Sequence, residues 1–152
     1  MVPGPWGGLD SLAEGGANNS KLEQFFRDKI GEMAGELAAL AGDFRRTPVP
    51  PQTADAVYAI AHSLHGAGTM YGFPAVSEMG AALEELAGLL RSSPPGLGQS
   101  VSKLIESCAG ALRRIAAAPG PKDNAIVSVI SDLAWQCECT VRQAKAADPS
   151  TA

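Results

Sequence analysis

Cysteine is scarce in this chain: Cys108, Cys137 and Cys139 are the only three. An odd count with no paired metal spacing argues against a disulfide framework and against a zinc site. Reduced thiols in the cytoplasm are the expected state. Aromatic residues make up only 5% of the chain, while alanine and leucine are abundant. That balance favours packed helices over sheets. Charge is also sparse, at 18% of residues with a net −4, which excludes a broad nucleic-acid surface. No apolar run approaches the ~18 residues of a membrane span. Met1-Val2-Pro3-Gly4-Pro5 lacks a basic segment followed by an apolar one, so no secretory signal is expected. There is no P-loop, and 152 residues leave no room for an ATP-binding domain beside a helical one. An autonomous kinase is therefore not expected.

What is present is enough apolar residue, 45% of 152, for one domain with a real core. Residues 1–19 are rich in glycine and proline (Pro3-Gly4-Pro5, Gly7-Gly8, Gly15-Gly16) and read as a flexible tail. Trp6, Leu9 and Leu12 could dock that tail on the domain or on a partner. Asn19 or Ser20 can cap a first helix over about 21–44, with Leu22, Phe25, Phe26, Ile30, Met33, Leu37, Leu40 and Phe44 recurring at threes and fours. Arg45 and Arg46 follow at its C-terminal end, and Thr47-Pro48-Val49-Pro50-Pro51 stops it.

A second helix opens at Thr53 or Asp55 and runs to about Met70. Tyr71-Gly72-Phe73 is a turn, and Pro74 starts a third helix that reaches about Arg91. Val76, Met79, Leu83, Leu86 and Leu90 form its inner stripe, and Glu78, Glu84 and Glu85 read as a solvated face. A fourth helix, about 97–117, turns Leu97, Val101, Leu104, Cys108, Leu112 and Ile115 inward. Arg113-Arg114 suits its C-terminal end. A fifth, from near Asp123 to near Ala147, carries Ile126, Ile130, Leu133, Cys137 and Val141 as its stripe. Strand signals and fixed-period repeats are absent. The expected architecture is all-α: an antiparallel up-down four-helix bundle with an additional C-terminal helix. The domain spans 20–147, and 148–152 is a frayed end.

The chemistry gathers at Ala61-His62-Ser63-Leu64-His65-Gly66-Ala67-Gly68. At 100° per residue, Asp55, Tyr58, Ala59, His65, Gly66 and Thr69 fall within about 60° of His62. Val57, Ile60, Leu64, Ala67, Gly68 and Tyr71 fall on the opposite side. The helix thus buries one face and presents an imidazole on the other, with no side chain at Gly66 beside it. Glycine within a helix costs ~1 kcal/mol relative to alanine, which suggests that something must approach His62 closely. Gly68, on the inner side, is expected to allow close helix packing. His62 and His65 stand at i, i+3, a spacing that can bind a metal, but no carboxylate or cysteine on this helix completes the site. Met33, Met70 and Met79 read as core filling.

This stretch, with Tyr71-Gly72-Phe73-Pro74-Ala75-Val76-Ser77-Glu78 and Leu83-Glu84, resembles a histidine phosphotransfer (HPt) domain, whose pattern reads approximately A-H-S-L-K-G-x-A followed by G-F-P. The clear match covers 61–85, and the helix layout extends it over 21–117. A fifth helix resembles the N-terminal phosphotransfer domain of chemotaxis kinases. The resemblance implies a cytoplasmic phosphorelay carrier with His62 as phospho-acceptor. Its partners would be response-regulator receiver domains and a sensor histidine kinase, hybrid or not, and neither nucleic acid nor membrane. Gly66 would leave room for the receiver, and Tyr58, Ala59, Ala61 and Thr69 would meet it. No cofactor of its own is implied, since the receiver supplies Mg²⁺. His65 stands where many members have a lysine that helps hold the phosphoryl oxygens, and one turn from His62 it is itself a candidate to stabilise the phosphoryl group. That departure keeps a second function class open, a non-catalytic module that binds receivers without accepting phosphate.

Overall fold

Prolines and one glycine set where the helices begin and turn. In a computed structural model, which describes residues 19–46, 50–91, 98–117 and 124–147, five helices account for the fold. They are α1 (Asn19–Ala41), α2 (Pro51–Met70), α3 (Pro74–Leu90), α4 (Gly98–Ala117) and α5 (Asn124–Ala147). No strand occurs among the described residues. Pro51 and Pro74 open α2 and α3, where a missing N–H leaves no bond unmade. Between them the chain reverses within three residues. Gly72 adopts φ +80°, and the Phe73 N–H donates to the Gly68 carbonyl at 2.8 Å. This six-to-one bond around a left-handed glycine closes the helix end and sets α3 antiparallel to α2.

The first helix is two residues longer at its start than expected and stops sooner. After Ala41 the chain tightens into a 3₁₀ turn, Gly42–Arg45, and Arg46 is extended. The turn keeps Phe44 fully buried and aims Asp43 at α2, where its carboxylate accepts from the Thr53 hydroxyl at 3.1 Å.

The helices form two principal pairs, α2 with α3 and α1 with α4, and α5 lies against α3 and α4. This is the expected bundle with its extra helix on one side. Phe26, Ile30 and Leu37 from α1 are fully buried in one cluster with Val57 and Leu64 from α2, Met79, Leu83 and Leu86 from α3, Ile105 and Leu112 from α4, and Ile130 from α5. Removing a leucine or isoleucine side chain from such surroundings costs about 2–5 kcal/mol. Arg27 is the buried cation of α1. It donates to the Ile115 carbonyl near the end of α4 and to Glu23 at 3.0 Å, so it satisfies a carbonyl that the helix end leaves open.

All three cysteines are free. The Cys108 thiol is held well above its ordinary range by its hydrogen bond with Cys137 and by burial, which makes it a packing residue rather than a nucleophile. No helix among the described residues is long and apolar enough to cross a membrane. The tail at 1–18, Leu97, Asp123 and the end at 148–152 lie outside the described residues.

Candidate functional site

The site begins with small residues. A Cβ on Gly80 would stand 2.4 Å from the His65 nitrogen and 2.8 Å from the Ala61 carbonyl oxygen. A Cβ on Gly68 would stand 2.5 Å from the Ser77 nitrogen. Hence α2 and α3 meet backbone to backbone at these two points. Short polar side chains join them there. Ser77 Oγ donates to the His65 carbonyl at 2.8 Å, and Thr69 Oγ1 lies 3.2 Å from that carbonyl and 2.6 Å from Ser77 Oγ.

One turn beyond Gly80, α3 carries Glu84. Its Oε1 lies 2.9 Å from His65 Nδ1 and 3.5 Å from His62 Nδ1. Glu84 is only 18% exposed, whereas His62 is 73% and His65 47% exposed. The carboxylate therefore approaches both rings from below, on the α3 side, and leaves the His62 ring facing solvent. An ionised carboxylate can only accept, so the His65 contact requires a proton on Nδ1.

The other flank of His62 is aromatic. The Tyr58 ring lies parallel to the imidazole, 6° between planes and 6.3 Å between centroids. Arg91, at the end of α3, places its guanidinium 4.7 Å from the Tyr58 ring centre and donates to Asp55 at 2.8 Å. Beyond His62 in the other direction, a Cβ on Gly66 would meet nothing within 4 Å. The ground beside the ring is open, and no packing among the described residues accounts for a glycine there.

His62, His65, Gly66, Ala59 and Thr69 are exposed, and Tyr58 is half-buried, as the helical angles require. Three expectations need correction. Ala61 is fully buried because its carbonyl backs onto Gly80, so it cannot form a rim for a partner. Met70 is 73% exposed and is not core filling, unlike Met33 and Met79. It lies on the last turn of α2, beyond the apolar face that Leu64 and Ala67 fill. Glu84 belongs to no fully solvated face: with only 18% of its side chain exposed, it lies against His62 and His65 of α2. Among the described residues no cluster of three metal-ligating side chains has the geometry to hold an ion.

Glu84 and Arg91 are the side chains that helix-by-helix reading missed, whereas the helical angles place Asp55 on the His62 face without its partner. Glu84 was within reach of inference: Gly68 on the inner face pointed to a close helix contact, and Leu83-Glu84 stood in the quoted resemblance. Arg91 carried no such signal, because it meets Asp55 across two helices.

The Hpt domain family model matches residues 21–118, which takes in α1 to α4 and leaves α5 beyond it. No curated protein and no solved structure matches the chain. The match covers well over half of the chain, and its helical bundle presents a histidine from the second helix. The chain thus belongs to the Hpt domain family, whose role is histidine phosphotransfer in two-component systems.

Proposed function

We propose that His62 is the phospho-acceptor, taking a phosphoryl group from a kinase or a receiver-domain aspartate and passing it to the aspartate of a response-regulator receiver. The observation that carries this reading is the environment of one ring: 73% exposed, with a carboxylate 3.5 Å from its Nδ1 and open ground at Gly66. A neutral imidazole has one N–H and one lone pair. With the proton on Nδ1 facing Glu84, the lone pair on Nε2 faces outward.

Transfer from an aspartyl phosphate then balances without a proton donor. The Nε2 lone pair forms the N–P bond, the P–O bond breaks, and its electron pair leaves with the aspartate oxygen. The ring becomes a cation that keeps its Nδ1 proton, and Glu84 opposes that charge. Phosphoryl transfer depends chiefly on such positioning and charge balance. Gly66 gives access, and Tyr58, Ala59 and Thr69 form the surround that a receiver would cover. Any Mg²⁺ would belong to the receiver. We place the exchange in the cytoplasm, where the free thiols stay reduced.

The test is incubation with a ³²P-phosphorylated receiver. Acid-labile label should move to the wild-type protein and not to His62→Gln, with the helical circular dichroism unchanged. Label on His62→Gln would refute the assignment. Receiver binding with no label on the wild type would make the protein a non-catalytic module instead.

A further inference from the structure

We propose that the outward face of α5 is a self-association surface, on which a second copy of this chain packs its own α5 antiparallel about a two-fold axis. The proposal does not depend on the reading of His62. It concerns a helix that lies beyond the matched family segment.

The face is defined by what the core leaves out. Ile126, Ile130, Leu133, Ala134, Cys137 and Val141 of α5 are buried, on the side that meets α3 and α4. At 100° per residue, Ser128, Asp132, Trp135, Cys139, Arg142 and Ala146 fall within about 40° of one line on the opposite side. They recur alternately at four and three, the spacing that keeps two helices in contact along their length. Cys139 is half-buried and the other five are exposed. Trp135 is 54% exposed and stands at the middle of the helix, not at an end. A tryptophan left in water and rimmed by polar side chains is the usual anchor of a protein contact.

Charge selects the occupant and its direction. Arg142 holds its guanidinium 5.3 Å from the Trp135 ring centre. Neither Arg142 nor Asp132 forms an ion pair among the described residues. They cannot meet within one chain, because the helix between them spans ~15 Å. Two α5 helices laid antiparallel, with the axis level with Cys137, remove that separation. Asp132 then faces Arg142 of the second copy, Trp135 faces Cys139, and Ser128 faces Ala146. Each contact occurs twice, as a two-fold interface requires. The bulkiest side chain of the stripe meets a small one, and its two smallest meet each other. A parallel pair would set Asp132 against Asp132 and Arg142 against Arg142. An antiparallel pair centred on Trp135 would set Asp132 against Glu138. Both place like charges together, which costs affinity.

A single helix pair is small beside the ~1,200 Å² of stable complexes, so the dimer is weak and forms at high protein concentration. Because α3 stands between α5 and α2, His62 stays open in both copies.

The test is sedimentation velocity of the full chain over a wide concentration range, with a reductant present so that no Cys139 disulfide forms. Wild type should pass from monomer to dimer as concentration rises. Arg142→Asp and Asp132→Arg should each raise the dissociation constant at least about tenfold, since each sets like charges together. The two substitutions combined should recover most of that loss, because the pair is restored with its signs exchanged. Trp135→Ala should weaken association on the order of tenfold or more. The three side chains are exposed, so circular dichroism of the monomer and phosphoryl uptake should not change.

A wild type that stays monomeric at every concentration overturns the proposal. So does a dissociation constant unmoved by Trp135→Ala, which would put the interface on another face. A combined variant as weak as the single reversals also overturns it, since Asp132 and Arg142 would then not face each other.

Discussion

The seam between α2 and α3 is built on a different principle from that between α1 and α4. In the first, Gly68 and Gly80 admit backbone, and a Cβ at either would lie within 3 Å of main-chain atoms. Hydroxyls and a carboxylate then bridge what the glycines bring close. In the second, α1 brings large buried side chains such as Ile30 and Leu37, and the glycine beside α4 is no constraint. A Cβ on Gly31 would meet the Ala116 Cβ at 3.5 Å, an ordinary contact. One seam is a stability element that tolerates adjustment. The other sets His62, His65 and Glu84 against one another across a backbone contact that a Cβ would break, and it tolerates little. Chemistry is placed on the seam that can hold it still.

Substitutions can break this contrast. The largest effect is expected for Gly80→Ala. Its Cβ would press on the His65 nitrogen and the Ala61 carbonyl, neither of which can rotate away. A loss of at least ~3 kcal/mol, at the upper end of overpacking, should appear in denaturant unfolding, with slowed phosphoryl uptake in whatever remains folded. Leu37→Ala should cost about 2–5 kcal/mol yet leave uptake per folded molecule unchanged, because Leu37 takes no part in the contacts that join His62, His65 and Glu84. A matching loss of uptake would mean that the two seams are not independent.

Gly66→Leu separates access from stability. The side chain enters open space, so the helix should gain about 1 kcal/mol or slightly less, while transfer from a receiver falls sharply. Undiminished transfer would remove the steric argument for that glycine. The smallest effect belongs to Gly31→Ala, with a gain of up to ~1 kcal/mol in thermal or chemical unfolding and no change in transfer. Destabilisation there would show that the α1–α4 seam is as exacting as its neighbour.

The sequence disclosed the elements better than their distances. Apolar spacing on α3 and α5 identified Val76, Met79, Leu83, Leu86, Leu90 and Ile126, Ile130, Leu133, Cys137, Val141, all of which are buried. Pro74 marked the start of α3, and Gly72 the turn before it. Helical angles put His62 outward without any coordinates. What periodicity cannot report is how near a neighbouring helix lies. Glu84 occupies a polar position on its own helix and was read as solvated for that reason. Only the absence of a Cβ at Gly80 brings it beneath two imidazoles on another helix. Met70 failed in the opposite sense, since an apolar residue on the last turn of a helix can lie past the edge of the core. Ala61 was misread because a small residue next to the acceptor is as well suited to a helix contact as to a partner contact.

The role of His62 is decided most directly by mapping the phosphorylated atom. After incubation with a phosphorylated receiver, the protein would be digested under alkaline conditions, which preserve phosphohistidine, and the site located by tandem mass spectrometry and ³¹P NMR. A single phosphoryl group on His62 Nε2, absent from His62→Gln and retained in His65→Asn, is the expected result. A phosphoryl group on His65, on His62 Nδ1, or persisting in His62→Gln would contradict the assignment of His62 as acceptor with its Nδ1 turned to Glu84.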